Sequence, residues 1–288
     1  MKQILPYLIL SVTLSSARNI TSKKTSEASK EKAGFFMSQT VLFGSATLLL
    51  AIFFVNQLID LAYQTLIFAA IYGVLLVLSQ WMLTFALGIG NTSVCTVIYS
   101  LGFILPTLSG RLFFNEEFTY LGAIGVVLAV IVVLLNVKKE DKNQPKSNRF
   151  LPLILVAMLS SGGLGIMQKV QQSSPFAEQS GGFVLTAFLL AFLISLTAFL
   201  ICNKRPALTL SSCLYPTVTG VCFGGANLFN TILAGKIKSA VFFPLQNIST
   251  ILLTTLLGLV LFKEKITKKT ALILSLGILV ILLFSIKI

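Results

Sequence analysis

The 288-residue chain has no histidine, nine acidic residues and four cysteines. Cys95, Cys202, Cys213 and Cys222 show no CxxC spacing and have no imidazole to join them, so neither a metal centre nor a redox pair is expected. Small buried hydrophobes are the default reading of the four thiols. Cys202 and Cys213 flank one loop and leave a disulfide there open. Charged residues make up 11% of the chain, against about 25% in a soluble domain. That is too little polar surface to coat a water-soluble globule. Each of the nine acids lies in or beside a gap between apolar runs, so no carboxylate is expected at membrane depth. The side-chain proton relays of ion-driven pumps therefore lack their groups. Catalysis lacks an evident acid, base, nucleophile or metal set. The chain reads as a non-enzyme without a cofactor.

What is present is oil. Apolar residues reach 56% and mean hydropathy is +0.93, which places the chain in a membrane. A spanning helix needs about 20 mostly apolar residues. Runs of roughly that length fall at 4–22, 35–55, 61–86, 92–113, 118–137, 150–170, 182–202, 212–234, 240–262 and 269–286. The net charge of +13 sits in the gaps between them. It reads as loop charge facing headgroups and water, with a lipid bilayer and not nucleic acid as the partner. The stretch "KKEDKNQPKSNR" at 138–149 has the composition of a disordered linker.

The first run resembles a secretory signal in its basic start and small residues near Ala17. It also copies an internal segment. "LIL" at 8–10 and "LSS" at 14–16 return at 153–155 and 159–161, offset by 145. The match continues with "EKAGFF" at 31–36 against "EQSGGF" at 178–183, and Gly73-Val74 against Gly220-Val221. Ser93-Val94 answers Ala240-Val241, and "FFNEEFT" at 113–119 answers "LFKEKIT" at 261–267, offset by 148. A discarded peptide has no reason to copy an internal helix, so the first run is expected to be retained. The chain is then a tandem duplication, 1–145 and 146–288, of one five-helix unit. Five is odd, so the second unit crosses the bilayer in the opposite sense. The expected fold class is all-α and polytopic, with ten spans as two inverted repeats and a solute site where the halves meet.

Orientation is read in two ways. With a cytoplasmic N-terminus, sixteen of the 22 Lys and Arg residues would lie outside, so the positive-inside rule favours external termini.

A buried amide or hydroxyl without a partner costs about 1–3 kcal/mol, so polar residues inside apolar runs should face the bundle interior or a wet cavity. The third run holds Ser79, Gln80, Trp81 and Thr84, and the fourth Tyr99 and Ser100. The eighth holds Asn227 and Asn230, which share a helix face at i and i+3, and the ninth holds Gln246 and Asn247. Gln80, Tyr99, Asn227, Asn230, Gln246 and Asn247 are the candidate substrate-binding residues. Interhelical hydrogen bonding is the alternative for each. Thr119 and Thr267 are placed to cap the helices that follow them, with Glu116 and Glu264 suiting the positive ends of those dipoles. Arg18, Lys24 and Lys169 are expected to snorkel to headgroups, with an anionic substrate as the alternative. Gly162, Gly163, Gly165, Gly224 and Gly225, with Pro106 and Pro244, suit close helix approach or bending.

The stretches "LPTLSGRLFFNEEFTYLGAIG" and "LTTLLGLVLFKEKITKKTAL" resemble the EamA-type branch of the drug/metabolite transporter superfamily. The resemblance covers essentially the whole chain. It implies ten helices, a cavity built largely from the third, fourth, eighth and ninth, alternating access and cytoplasmic termini. The membrane Glu that small multidrug relatives carry in their first helix has no counterpart here. The function expected is secondary transport of a small polar metabolite, neutral or zwitterionic, by uniport or exchange, in the cell membrane. Efflux of drugs or metabolites and a non-transporting membrane subunit are the alternatives. Monomer and homodimer both remain open.

Overall fold

The computed structural model describes residues 4–28, 32–90, 92–117, 119–136, 149–202, 210–261 and 267–285. Helices occupy nearly all of them: α1 (Ile4–Ala28), α2 (Lys32–Phe54), α3 (Tyr63–Ile89), α4 (Thr92–Ser100), α5 (Ile104–Phe113) and α6 (Tyr120–Leu135). After the linker follow α7 (Phe150–Gln172), α8 (Ser180–Ile201), α9 (Leu210–Lys236), α10 (Ser239–Leu261) and α11 (Lys268–Ser285). There is no strand among the described residues. Each apolar run falls on helix. Seven spans among the described residues are long and apolar enough to cross a membrane, and α6 contains a shorter apolar stretch. Large hydrophobics such as Leu48, Ile52 and Phe53 stand on the outside, which suits a lipid surface and would be an aggregation liability in water.

The run at 92–113 is broken, and Pro106 explains the break. It has no N–H to give to the Gly102 carbonyl four residues back, and its ring crowds that turn. The backbone tightens there into a 3-10 turn, Leu101–Phe103. Across it, Asn247 Nδ2 donates to the Ser100 carbonyl at 3.2 Å. A Cβ on Gly162 would stand 2.7 Å from the Gly102 carbonyl, so α7 crosses the break at backbone contact.

The caps are as expected. Thr119 Oγ1 accepts from the Gly122 N–H at 3.3 Å and Thr267 Oγ1 from the Thr270 N–H at 3.1 Å. Glu264 and the linker at 138–148 lie outside the described residues. Glu116 is a correction. Its carboxylate does not serve α6, the helix that follows it, but accepts from the Ser239 N–H that opens α10, at 2.6 Å. The four cysteines are free thiols, so Cys202 and Cys213 are not joined.

Helix directions follow from contacts at the two ends of the bundle. Lys236, which closes α9, lies 5.1 Å from the ring of Tyr7 near the start of α1. Lys169, near the end of α7, donates to the Ala234 carbonyl at 3.0 Å. Hence α7 finishes at the end where α1 begins. At the opposite end, Phe150, the first residue of α7, packs on Gly90, just beyond α3. The neighbours also correspond: α1 packs on α9 as α7 packs on α3, α2 on α9 as α8 on α3, α2 meets α8 and α6 meets α11. One apolar core gathers Phe43, Tyr72, Phe183 and Phe188 from α2, α3 and α8. A second gathers Phe242, Val280 and Phe284 from α10 and α11.

Candidate functional site

A cavity of about 1810 Å³ lies within the bundle. Its lining runs out to Lys24, Gly88, Asn136 and Lys269, near the end of the bundle where α1 finishes and α11 begins. Toward the other end the lining stops at Pro106, Gln168, Asn230 and Phe243. Among the described residues the cavity therefore reaches toward the first end, its mouth, and stops short of the second, the closed end.

All six candidate residues line it, but they are not equivalent. Asn227 is committed on both sides. Its Oδ1 accepts from the Tyr72 hydroxyl at 2.6 Å and its Nδ2 donates to the Phe223 carbonyl at 2.8 Å. Gln168 Nε2 donates to the same hydroxyl at 2.8 Å, which locks α3, α7 and α9 together. Asn230 accepts from Ser11 through Oδ1. Gln246 Nε2 donates to the Ser11 hydroxyl at 2.6 Å and lies 3.3 Å from that of Ser15, while its Oε1 is buried without a partner. Asn247 Oδ1 is likewise unpartnered. Two buried amide oxygens with no donor are unfinished hydrogen-bonding capacity in the wall. Ser79 Oγ and the Tyr99 hydroxyl lie 2.9 Å apart, with Ser161 and Arg18 also in reach of that hydroxyl.

The basic residues depart from expectation. Arg18 does not snorkel outward. Its guanidinium carbon stands 4.0 Å over the Phe223 ring, and Nη2 donates to Gln80 Oε1 at 2.7 Å. The reason is geometric: Ser11, Ser15, Arg18, Ser22 and Thr25 fall at helical spacing on one face of α1. From Ser15 onward this face lines the cavity. Lys24 lines the mouth, 5.2 Å from the ring of Tyr215. Lys169 does not snorkel either. It is buried, and its Nζ lies 2.6 Å from Glu116 Oε1. The Glu116 carboxylate thus bridges Lys169 on α7 to the first N–H of α10, tying helices together at the closed end.

Sequence reasoning also passed over Ser15, Ser161, Gln168 and Thr250 in the wall. Gln168 offered the same signal that found Gln80, an amide inside an apolar run.

The comparisons with known proteins agree with a transport architecture. A solved crystal structure of a protein 12% identical in sequence superposes with a TM-score of 0.81, covering 99% of this chain and 97% of that one. At that identity the likeness shows the fold alone. An uncharacterized protein of Haemophilus influenzae (strain ATCC 51907 / DSM 11121 / KW20 / Rd) is 30% identical over 175 residues, a stretch that spans 58% of this chain and 57% of that protein. The family model described as Sugar transport protein matches residues 8–288. This supports the broader likeness to drug/metabolite-type transporters and leaves the EamA branch as a resemblance of the turn motifs. With nearly its whole length matched, this chain belongs to the Sugar transport protein family of membrane transporters.

Proposed function

We propose that the protein is a secondary transporter that carries a small, polar, hydroxyl-rich solute across the cell membrane by alternating access. The observation that carries this reading is a cavity whose wall is set with amide and hydroxyl groups and which, among the described residues, reaches toward one end of the bundle and stops short of the other. Its architecture would be ten spans in two inverted repeats, 1–145 and 146–288. The opposed directions of α1 and α7 and the matching neighbours of repeat mates support it. The solute would be bound by Gln80, Tyr99, Asn230, Gln246 and Asn247, whose amides and hydroxyl can both donate and accept as sugar hydroxyls require. Asn227 would hold the wall in place instead of touching solute, since both ends of its amide are engaged. The family description suggests a sugar. Uniport or exchange follows from the wall's lack of acids among the described residues, which leaves no carboxylate to carry a coupling proton.

The bridge from Glu116 to Lys169 and Ser239 would hold the closed end shut, and opening it would accompany closure of the present mouth. Counterflow is the test. Purified protein in liposomes preloaded with D-glucose should transiently accumulate labelled D-glucose from outside. Asn230→Ala and Gln246→Ala should cut that uptake at least about tenfold, the scale of one or two hydrogen bonds lost from a solute site. Flux without counterflow would mean a channel. No flux of any sugar would mean a membrane component that does not transport.

A further inference from the structure

The charged side chains that line the cavity among the described residues are of one sign. Among the described residues they are Arg18, Lys24 and Lys269, with no Asp or Glu. Lys24 and Lys269 stand near the mouth, while Arg18 lies six residues further along α1, about 9 Å at helical rise. Arg18 has no carboxylate partner among the described residues. Gln80 takes one N–H, the Phe223 ring takes one face of the guanidinium, and Nε has no acceptor. Gln80, Phe223 and Tyr99 hold the group in place, and none of them neutralises it. A fixed cation in a water-filled cleft with low-dielectric walls concentrates anions and repels cations. A planar guanidinium already fixed by packing loses little freedom when it grips an oxygen pair, and its fork matches carboxylate and phosphate geometry.

We infer that Arg18 is the anion subsite of this cavity, and that the preferred solute joins hydroxyl groups to one oxyanion, a carboxylate or a phosphate. The inference deepens the transport reading and rests on it only in taking this cavity as the solute's site. Hydroxyls would meet the amides of Asn230, Gln246 and Asn247, and the oxyanion would meet Arg18 beside the Tyr99 hydroxyl. Lys24 at the mouth would raise the rate of entry in a salt-dependent way.

Binding to the purified protein tests this with D-glucuronate, D-glucose 6-phosphate and D-glucose, read by calorimetry and by the rise in melting temperature each produces. At least one acidic sugar should bind about tenfold or more tighter than glucose, the scale of a charge-assisted hydrogen bond. Which acid prevails separates a carboxylate subsite from a phosphate one. Arg18→Gln should remove the acid's advantage over glucose, and Arg18→Lys should keep part of it, since the charge remains without the fork. Equal binding of all three sugars to the unaltered protein would overturn the inference, as would an acid's advantage that survives in Arg18→Gln. Counterflow of glucose with no advantage for acids would sink the subsite and leave transport standing. Arg18-dependent acid binding without flux would do the reverse.

Discussion

Arg18 and Lys169 are both cations on mostly apolar helices, and the structure uses them oppositely. Arg18 lines the cavity, held by Gln80 and the Phe223 ring, with no carboxylate partner among the described residues. Lys169 is buried at the closed end against Glu116, with 11% of each side chain exposed. Breaking a pair of this kind leaves the surviving charge poorly solvated, whereas removing both charges does not. Lys169→Met should therefore lower the melting temperature of the purified protein, at a cost of about 3 kcal/mol if the site behaves as a buried pair. The double variant Glu116→Gln, Lys169→Met should recover part of that loss, because the Gln amide oxygen can still accept from the Ser239 N–H. If the double variant lost as much as Lys169→Met and Glu116→Gln together, the carboxylate and the ammonium would contribute independently. Asn227 teaches the same lesson as a neutral group. Its position and type pointed to the cavity, but only its neighbours Tyr72 and Gln168 show that its hydrogen bonds are already spent.

Helix spacing explains why these side chains arrive where they do. The polar positions of α1 recur at intervals of three and four, the signature of one helix face, and that signal was present in the sequence. What outweighed it is the general tendency of Arg near a helix end to reach for headgroups. The α4–α5 break was also half legible: Pro106 announced a disturbance, but the carbonyl contact with Gly162 that accommodates it comes from α7, far away in the chain. Close helix approach makes a further test. A Cβ on Gly220 has no room against the Leu42 carbonyl and Ser45 on α2, while one on Gly258 would meet nothing within 4 Å. Gly220→Ala should destabilise the α2–α9 contact by about 1–3 kcal/mol through overpacking, read as a lower melting temperature. Gly258→Ala should not lower it.

The bundle encloses a cavity that lies toward one of its two ends. If the repeats are inverted, the segment before Leu5 and the linker at 138–149 must lie on opposite faces of the membrane, because five crossings separate them. Tags at the two places, probed in intact and permeabilised cells, should report opposite sides. Tags on the same side would remove the inversion. Periodicity and composition alone determined that the chain is helical and membrane-bound and where its helices lie. These follow from local hydropathy, which is a property of the string. Only the tertiary structure decided which polar groups face the cavity, which saturate one another and which end is shut. Those outcomes depend on distances between residues on different helices, many of them more than a hundred positions apart, and no local pattern encodes them. Glu116 caps a helix 123 positions away, and Arg18 lies over a ring on α9.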